Sequence, residues 1–129
     1  MQYHAGLSEN EWYIMQVLWD RSPAGLRDIC GALQEKKKWS RHAVTSFLNR
    51  LLEKGAISVD ESGKVRQYRA VWGREETVRE ETASILERVY HGDLFCMVSN
   101  AVKGGERFSQ EEIEELKKML DSMGEAKEK

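Results

Sequence analysis

The chain has 129 residues, of which 40% are hydrophobic and 33% charged, and its formal net charge is −2. This length supports one modest hydrophobic core or two small ones, and the charged content excludes an integral membrane protein. The longest unbroken apolar run, Leu94 to Val98, is far shorter than the roughly 20 residues of a membrane-spanning helix. Because the N-terminus has neither a basic start nor an apolar stretch, the sequence predicts a cytoplasmic protein without membrane insertion.

Charge is distributed unevenly along the chain. Residues 1–73 contain 11 Lys and Arg against 8 Asp and Glu, a net charge of +3, whereas residues 74–129 contain 9 against 14, a net charge of −5. The two parts therefore differ in electrostatic character, and we expect two domains, 1–73 and 74–129.

Three helices are predicted in the first part of the chain. Apolar residues at helical spacing indicate helices at Glu9–Arg21, Leu26–Lys37 and Arg41–Lys54. Gly55 stands where a glycine in the left-handed conformation commonly ends a helix.

The first turn of the third helix differs from that of two other helices. LSENEW from Leu7 and FSQEEI from Phe108 each place a Glu three residues after a Ser, between two apolar residues, which is a capping box with a hydrophobic staple. WSRHAV keeps the apolar pair, Trp39 and Val44, and the Ser, but has Ala43 in place of the Glu. Negative charge near an N-terminus normally stabilises a helix. We therefore expect the two Glu side chains to face water, and the third helix to begin at a surface that excludes carboxylates.

After Gly55 the apolar spacing changes from helical to alternating. Ile57 and Val59 alternate with polar residues, ESGK indicates a turn, and Tyr68, Ala70 and Trp72 alternate again. This pattern predicts a two-stranded hairpin. Three helices followed by a hairpin, with a short turn between the second and third helices, is the order of a winged helix-turn-helix domain.

The third predicted helix has two different faces. Apolar residues fall at i, i+3, i+4 and i+7 on the inner face, and short polar residues have the same spacing on the outer face: Val44, Phe47, Leu48 and Leu51 inside, and His42, Thr45, Ser46 and Asn49 outside. A solvated helix face would be richer in Glu, Lys and Gln, which form better helices and ion pairs. No acidic residue lies between Arg41 and Arg50. The helix is therefore predicted to contact phosphates and base edges of double-stranded DNA.

Basic residues flank this helix and continue on the hairpin. Lys36, Lys37 and Lys38 precede the helix, and Lys64, Arg66 and Arg69 belong to the hairpin. We interpret them as phosphate contacts, although a lysine run is also typical of a solvated turn. The predicted DNA-binding residues are Lys38, Ser40, Arg41, His42, Ala43, Thr45, Ser46, Asn49, Arg50, Lys64 and Arg66.

The second part of the chain contains only helix signals. Helices are predicted at Arg74–His91, ended by Gly92, at Leu94–Val102, and from Ser109 onward. Their narrow apolar stripes cannot be buried well by three helices alone, and pairing with an identical chain would cover them. The predicted dimerisation residues are Val78, Ile85, Val89, Leu94, Phe95, Val98, Ile113, Leu116 and Leu120. The predicted fold is mainly α with a small β-hairpin wing: a winged helix-turn-helix domain followed by a helical dimerisation domain.

The residue pattern argues against an enzyme. The three histidines are not grouped with each other or with a carboxylate pair, and no glycine-rich phosphate loop is present, so we expect no catalytic residue, cofactor or metal. Cys30 and Cys96 each lie on an apolar stripe and are predicted to be free, buried thiols, with a disulfide as the alternative. The other interpretation of the whole chain is a winged-helix module that binds protein and assembles through its C-terminal helices.

Over nearly all of residues 7–120 the chain resembles the penicillinase repressor family of the BlaI/MecI/CopY type. The resemblance is carried by E-W-x-I-M-x-x-L-W from Glu11, by W-S at Trp39 with N-R-L-x-x-K-G from Asn49, and by Y-x-G at Tyr90. It implies a transcriptional repressor that binds a dyad operator as a homodimer, often with TACA and TGTA half-sites. Family members commonly have Pro-Lys-Thr after the Ser, where this chain has Arg-His-Ala, so a different operator preference is implied.

The resemblance also implies how repression is released. In antibiotic-responsive members, a membrane sensor protease triggers cleavage of an Asn-Phe bond in the C-terminal domain. The matching bond here joins Asn100 to Ala101, without the aromatic residue. Copper-responsive members end in a cysteine cluster, and this chain has no Cys after Cys96.

Overall fold

The structure, a computed structural model, describes residues 6–34 and 37–127, without the side chains of 125–127. The described elements are, in chain order, α1 (Glu9–Asp20), α2 (Leu26–Leu33), α3 (Arg41–Lys54), β1 (Ile57–Asp60), β2 (Gln67–Ala70), α4 (Arg74–Tyr90), α5 (Leu94–Lys103) and α6 (Gln110–Lys127). The order and type of the elements confirm the predicted winged helix-turn-helix followed by helices.

The helix caps follow the sequence pattern. In α1 the Ser8 hydroxyl accepts a hydrogen bond from the Glu11 amide and the Glu11 carboxylate accepts one from the Ser8 amide, a complete capping box. The same reciprocal pair joins Ser109 and Glu112 at the start of α6. Gly55 ends α3 with φ of 79°, a left-handed conformation that glycine adopts without a steric penalty.

Helix α2 is shorter than predicted. It ends at Leu33, and Lys37 is not helical, whereas the predicted helix extended to Lys37. The apolar stripe of Leu26, Ile29, Cys30 and Leu33 stops at this point. No apolar residue between Leu33 and Trp39 would extend this stripe on the core, and packing of an apolar face supplies most of the stability of a helix in a protein.

The hairpin is antiparallel, and a third segment of the chain forms a β-bridge with it. Ile57 pairs with Ala70 and Val59 with Tyr68. Ala24, in the connector between α1 and α2, exchanges two backbone hydrogen bonds with Tyr68, of 3.0 and 2.8 Å. The connector therefore attaches the hairpin to the helices, which the sequence pattern did not indicate.

One hydrophobic core joins α1, α2, α3 and the hairpin. Its fully buried residues include Ile14, Met15 and Leu18 of α1, Ile29 of α2, and Val44, Leu48 and Leu51 of α3. The inner stripe predicted for α3 is thus confirmed, with Phe47 half-buried at its edge. At the C-terminal end of α1, the Trp19 indole donates a 2.9 Å hydrogen bond to the Trp72 carbonyl oxygen.

The chain folds into two compact units, one ending at Ile85 and the next beginning at Leu86, within α4. The buried positions of α4 are polar: Thr77, Glu80 and Ser84. The apolar positions Val78 and Val89 are exposed. The division of roles at Gly73, between DNA binding and dimerisation, stays a prediction.

Both cysteines are free and partly exposed, which confirms free thiols but corrects their expected burial. Among the described residues, no helix combines the length and the apolar character needed to cross a membrane.

Glu11 contradicts the expectation that its side chain faces water. It is 1% exposed, and its carboxylate accepts a 2.5 Å hydrogen bond from the Lys54 ammonium at the end of α3. Burial raises the pKa of Glu11, but the hydrogen bonds from Lys54 and Ser8 outweigh it and hold the pKa below its ordinary value. A buried carboxylate with a cationic partner is therefore part of the core.

The depressed pKa of Glu11 predicts an acid-sensitive contribution to stability. A lowered folded-state pKa adds stability that is complete above the unfolded-state pKa and is lost as the pH falls through the folded-state pKa. The Glu11→Gln variant should lose about 1–3 kcal/mol of unfolding free energy at neutral pH, because it lacks the charged hydrogen bond. Urea titrations from pH 7 to pH 3 should show a smaller pH dependence in the variant than in the wild type. Parallel pH profiles would contradict this role.

Candidate nucleic-acid interface

The N-terminus of α3 is fixed by a cap and by aromatic packing. The Ser40 hydroxyl accepts a 3.1 Å hydrogen bond from the Ala43 amide, as predicted, and no acidic residue lies in the first turn. The Trp39 ring packs against Phe47, with centroids 5.0 Å apart, and edge-on against Tyr13 of α1 at 6.1 Å. The start of the helix is therefore anchored by neutral groups.

The outer face of α3 presents polar side chains to solvent. His42, Ser46 and Asn49 are exposed. Thr45 is half-buried, and its hydroxyl donates a 2.8 Å hydrogen bond to the Arg41 carbonyl oxygen. The hydroxyl of Ser46 is thus better placed than that of Thr45 to contact a ligand, a distinction that spacing alone did not provide.

A basic groove opens beside the start of α3. Its volume is about 930 Å³, and four cationic side chains line it: Arg27, Lys37, Lys38 and Arg41. Trp39, Ser40 and Gln34 also line it. The structure thus brings the predicted residues Lys38, Ser40 and Arg41 together. Lys36 lies outside the described residues.

Sequence reasoning missed Arg27 and Gln34 as residues of this groove. Both belong to the outer side of α2 and its C-cap, seven residues apart, and Gly31 lies between them on the same lining. Residues seven apart share one helix face, so the polar residues Arg27 and Gln34 could have been predicted to lie on one side of α2.

Of the remaining predicted residues of α3, Ala43 is half-buried, and Arg50 lies in the C-terminal half of the helix. It is exposed, and its guanidinium carbon lies 5.9 Å from the centroid of the Phe47 ring. The Phe47 ring therefore contacts both Trp39 and the Arg50 guanidinium, and Arg50 is still exposed to solvent.

The hairpin carries its cations at an exposed tip. Lys64 and Arg66 are exposed, and the Arg66 guanidinium is 2.8 Å from the Glu61 carboxylate, with both side chains about 60% exposed. The Asp60 carboxylate accepts hydrogen bonds from the amide and the hydroxyl of Ser62, which form the turn and lower the pKa of Asp60. Arg66 thus has an internal counter-ion, which the prediction did not include.

The predicted cleavage bond lies within a helix. Asn100 and Ala101 are exposed residues of α5, and the Asn100 carbonyl oxygen accepts a 2.9 Å hydrogen bond from the Gly104 amide. The Asn100 side chain also donates to the Cys96 sulfur at 3.7 Å. A protease would therefore need this last turn of α5 to unfold locally.

Across residues 6–34 and 37–127, no group of three or more His, Cys, Asp or Glu side chains is arranged to hold a metal ion. The first unit instead combines the polar outer face of α3 with an adjacent basic groove.

Comparison with known proteins supports the same interpretation. The family model described as penicillinase repressor matches residues 7–122. The chain is 30% identical over 115 residues to the methicillin resistance regulatory protein MecI of Staphylococcus aureus (strain N315), covering 89% of this chain and 93% of that protein. It is equally 30% identical to the penicillinase repressor of Bacillus licheniformis, covering 89% of each.

A solved structure shares the fold of the first unit. The DNA-binding domain of the repressor BlaI matches 59% of this chain and 93% of that domain, with 25% identity and a TM-score of 0.51. The match confirms the winged-helix fold. The family is one of transcriptional repressors and not of enzymes. The chain belongs to the penicillinase repressor family.

Proposed function

We propose that this chain is a DNA-binding repressor that recognises a dyad operator as a homodimer in the cytoplasm. The observation that carries the proposal is the exposed, acid-free outer face of α3 beside the basic groove. In this proposed arrangement α3 enters the major groove, and His42, Ala43, Thr45 and Ser46 lie nearest the base edges. The cations of the groove and of the hairpin contact phosphates and set the register without reading sequence.

A related protein supports DNA as the partner. The matching domain of Bacillus licheniformis BlaI has been solved in monomeric form in complex with the blaP half-operator, at 25% identity and a TM-score of 0.51 to this chain. One winged-helix unit per half-site requires two chains on a complete dyad. A two-fold dimer would present two copies of α3 to such a site.

Exposed apolar side chains support pairing of two chains. Phe95 is 82% exposed, and Leu94, Val98 and Leu120 are also exposed, while Ile113 and Leu116 are only half-buried. Burying contiguous apolar surface of this kind on an identical chain is favourable in water. We propose the predicted dimerisation residues as that interface, with Val78 and Val89 exposed and Ile85 half-buried along α4.

The salt dependence of binding tests DNA against a protein partner. A dimer that makes six to ten phosphate contacts should lose about 10³- to 10⁵-fold in affinity between 50 and 200 mM salt. Fluorescence anisotropy with a labelled operator measures this slope. A chain that serves only as a protein-binding module should bind no DNA at 50 mM salt, and that result would overturn the proposal.

Three alanine variants should separate base reading from phosphate contact. Ser46→Ala should lower the preference for operator over scrambled DNA, at a cost of about 1–3 kcal/mol, because a group that contacts base edges is lost. Lys64→Ala should weaken both DNAs equally and reduce the salt slope by about one. Thr45→Ala should resemble Ser46→Ala with a smaller effect, since the Thr45 hydroxyl already donates to Arg41. Equal losses on both DNAs for Ser46→Ala would contradict the assignment of α3.

For release of repression, we propose the Asn100–Ala101 bond as the site at which a membrane sensor protease would act. The bond is exposed and lies in the last turn of α5, where helices open most readily. Mass spectrometry of the chain from induced cells would show a fragment ending at Asn100. An intact chain in fully derepressed cells would exclude proteolysis there.

A further inference from the structure

Besides the apolar core that they share, α1 and α3 are connected by one polar and one aromatic contact near the two ends of α3. At the C-terminal end of α3, the Lys54 ammonium donates to the Glu11 carboxylate at 2.5 Å and to the Gly6 carbonyl oxygen at 2.6 Å. Before its N-terminal end, Tyr13 meets the edge of Trp39. The first contact is ionic and the second is aromatic.

Glu11 is held firmly enough to act as a fixed point. It is 1% exposed, and the oxygen that accepts from Lys54 also accepts a 2.8 Å hydrogen bond from the Ser8 amide. The same carboxylate therefore closes the N-terminus of α1 and binds the end of α3. Removing a carboxylate from water is costly, so such a pair contributes little net stability compared with apolar residues of similar size. Its distinct property is that it is directional, because the Lys54 ammonium must stay within hydrogen-bonding distance of a buried carboxylate oxygen.

The end of α3 is also the base of the hairpin. Lys54 is the last residue of α3, and two residues later the Ala56 carbonyl oxygen accepts hydrogen bonds from the amides of Val71, at 2.8 Å, and Trp72, at 3.1 Å. A shift of Lys54 relative to Glu11 would therefore move the recognition helix and the hairpin together. These are the two elements that the proposed function assigns to bases and phosphates.

We propose that Glu11 is a positioning residue for operator recognition: through Lys54 it sets the position of α3 and the hairpin relative to α1. The proposal rests on the proposed function of α3. Base readout depends on geometry within fractions of an ångström, whereas phosphate contacts tolerate small shifts. Loss of the pair should therefore affect operator affinity more than affinity for other DNA.

The test replaces both members of the pair by apolar residues. Glu11→Met combined with Lys54→Met leaves the net charge unchanged, so affinity for scrambled DNA should stay within about twofold of the wild type. The ratio of operator to scrambled affinity, measured by anisotropy at fixed salt, should fall about tenfold. Lys54→Arg keeps a positive charge opposite Glu11. This variant should therefore retain most of the preference for operator over scrambled DNA.

The matched control is Ile14→Val, which removes a methyl group from a fully buried residue of the same helix. It should lower stability without lowering the ratio. An unchanged ratio in the folded double variant, or an equal fall in Ile14→Val, would overturn the proposal. If the double variant does not fold by circular dichroism, Glu11→Gln takes its place, and an unchanged ratio there overturns the proposal. A wild-type chain without operator preference would instead show that the proposed function fails.

Discussion

The Ala43→Glu variant should fold normally and lose operator binding. A Glu at this position completes a capping box with Ser40, as Glu11 does with Ser8 and Glu112 with Ser109. The variant should therefore gain about 0.3–1 kcal/mol of unfolding free energy. On DNA the same carboxylate would meet phosphates and base edges, where like charge costs several kcal/mol, so affinity should fall by about 100-fold or more. Anisotropy and urea titration measure the two effects.

The control for this variant is Ala43→Gln. Glutamine has the same shape as Glu and also completes a capping box, but it carries no charge. It should therefore retain operator affinity within about tenfold of the wild type. The Gln side chain is larger than that of Ala but is not repelled by phosphates. Equal loss in both variants would mean that side-chain size, and not charge, excludes Glu from this position. Unimpaired binding by Ala43→Glu would remove the first turn of α3 from the interface.

The Leu120→Asp variant should dissociate the proposed dimer. Leu120 is 61% exposed in the single chain, so the substitution should leave the fold of each chain intact. Burying a carboxylate in an apolar interface is costly, and the variant should sediment as a monomer at micromolar concentration. Because two linked recognition units bind about 10²- to 10⁴-fold more tightly than one, operator affinity should fall by a similar factor.

The control for the dimer is Lys118→Asp, at an exposed position on the opposite side of α6 from Leu120. This variant introduces the same carboxylate outside the apolar stripe and should remain dimeric. A monomeric wild type would contradict the dimer directly. A Leu120→Asp dimer with normal affinity would show that the interface lies elsewhere.

Local patterns in the sequence were sufficient to predict most of the fold. The caps at Ser8, Ser40 and Ser109 depend on neighbouring residues only, and so does the left-handed Gly55. Side-chain spacing likewise separated the inner and outer faces of α3. These features follow from helix geometry, which is the same in every fold.

Contacts between distant residues were not predictable in the same way. Lys54 is 43 residues from Glu11, and nothing near Glu11 indicates that α3 brings a cation to it. Ala24 pairs with Tyr68, and Arg27 joins the groove of Lys38, only because of how the helices pack. The charge or polarity of a single residue does not determine which distant residue it contacts.

The burial of Glu11 also bears on why Ala43, and not Glu, stands in the first turn of α3. A capping carboxylate does not need to face water, because Glu11 is buried and satisfied by Lys54 and Ser8. The first turn of α3 instead holds no acidic residue, and Arg41 of that turn lines the basic groove together with Lys38. A Glu at position 43 would add a negative charge to this acid-free turn. The absence of Glu at position 43 is therefore consistent with the proposed contact between this turn and the anionic DNA backbone.

Footprinting on the DNA upstream of the chain's own gene tests the central claim most directly. The wild type should protect a segment with two-fold symmetry, whose half-sites are separated by one or two helical turns of about 10 base pairs each. Ala43→Gln should protect the same segment, and Ala43→Glu should protect none. Uniform protection without symmetry, or the same footprint with Ala43→Glu, would contradict sequence recognition by α3 in a dimer.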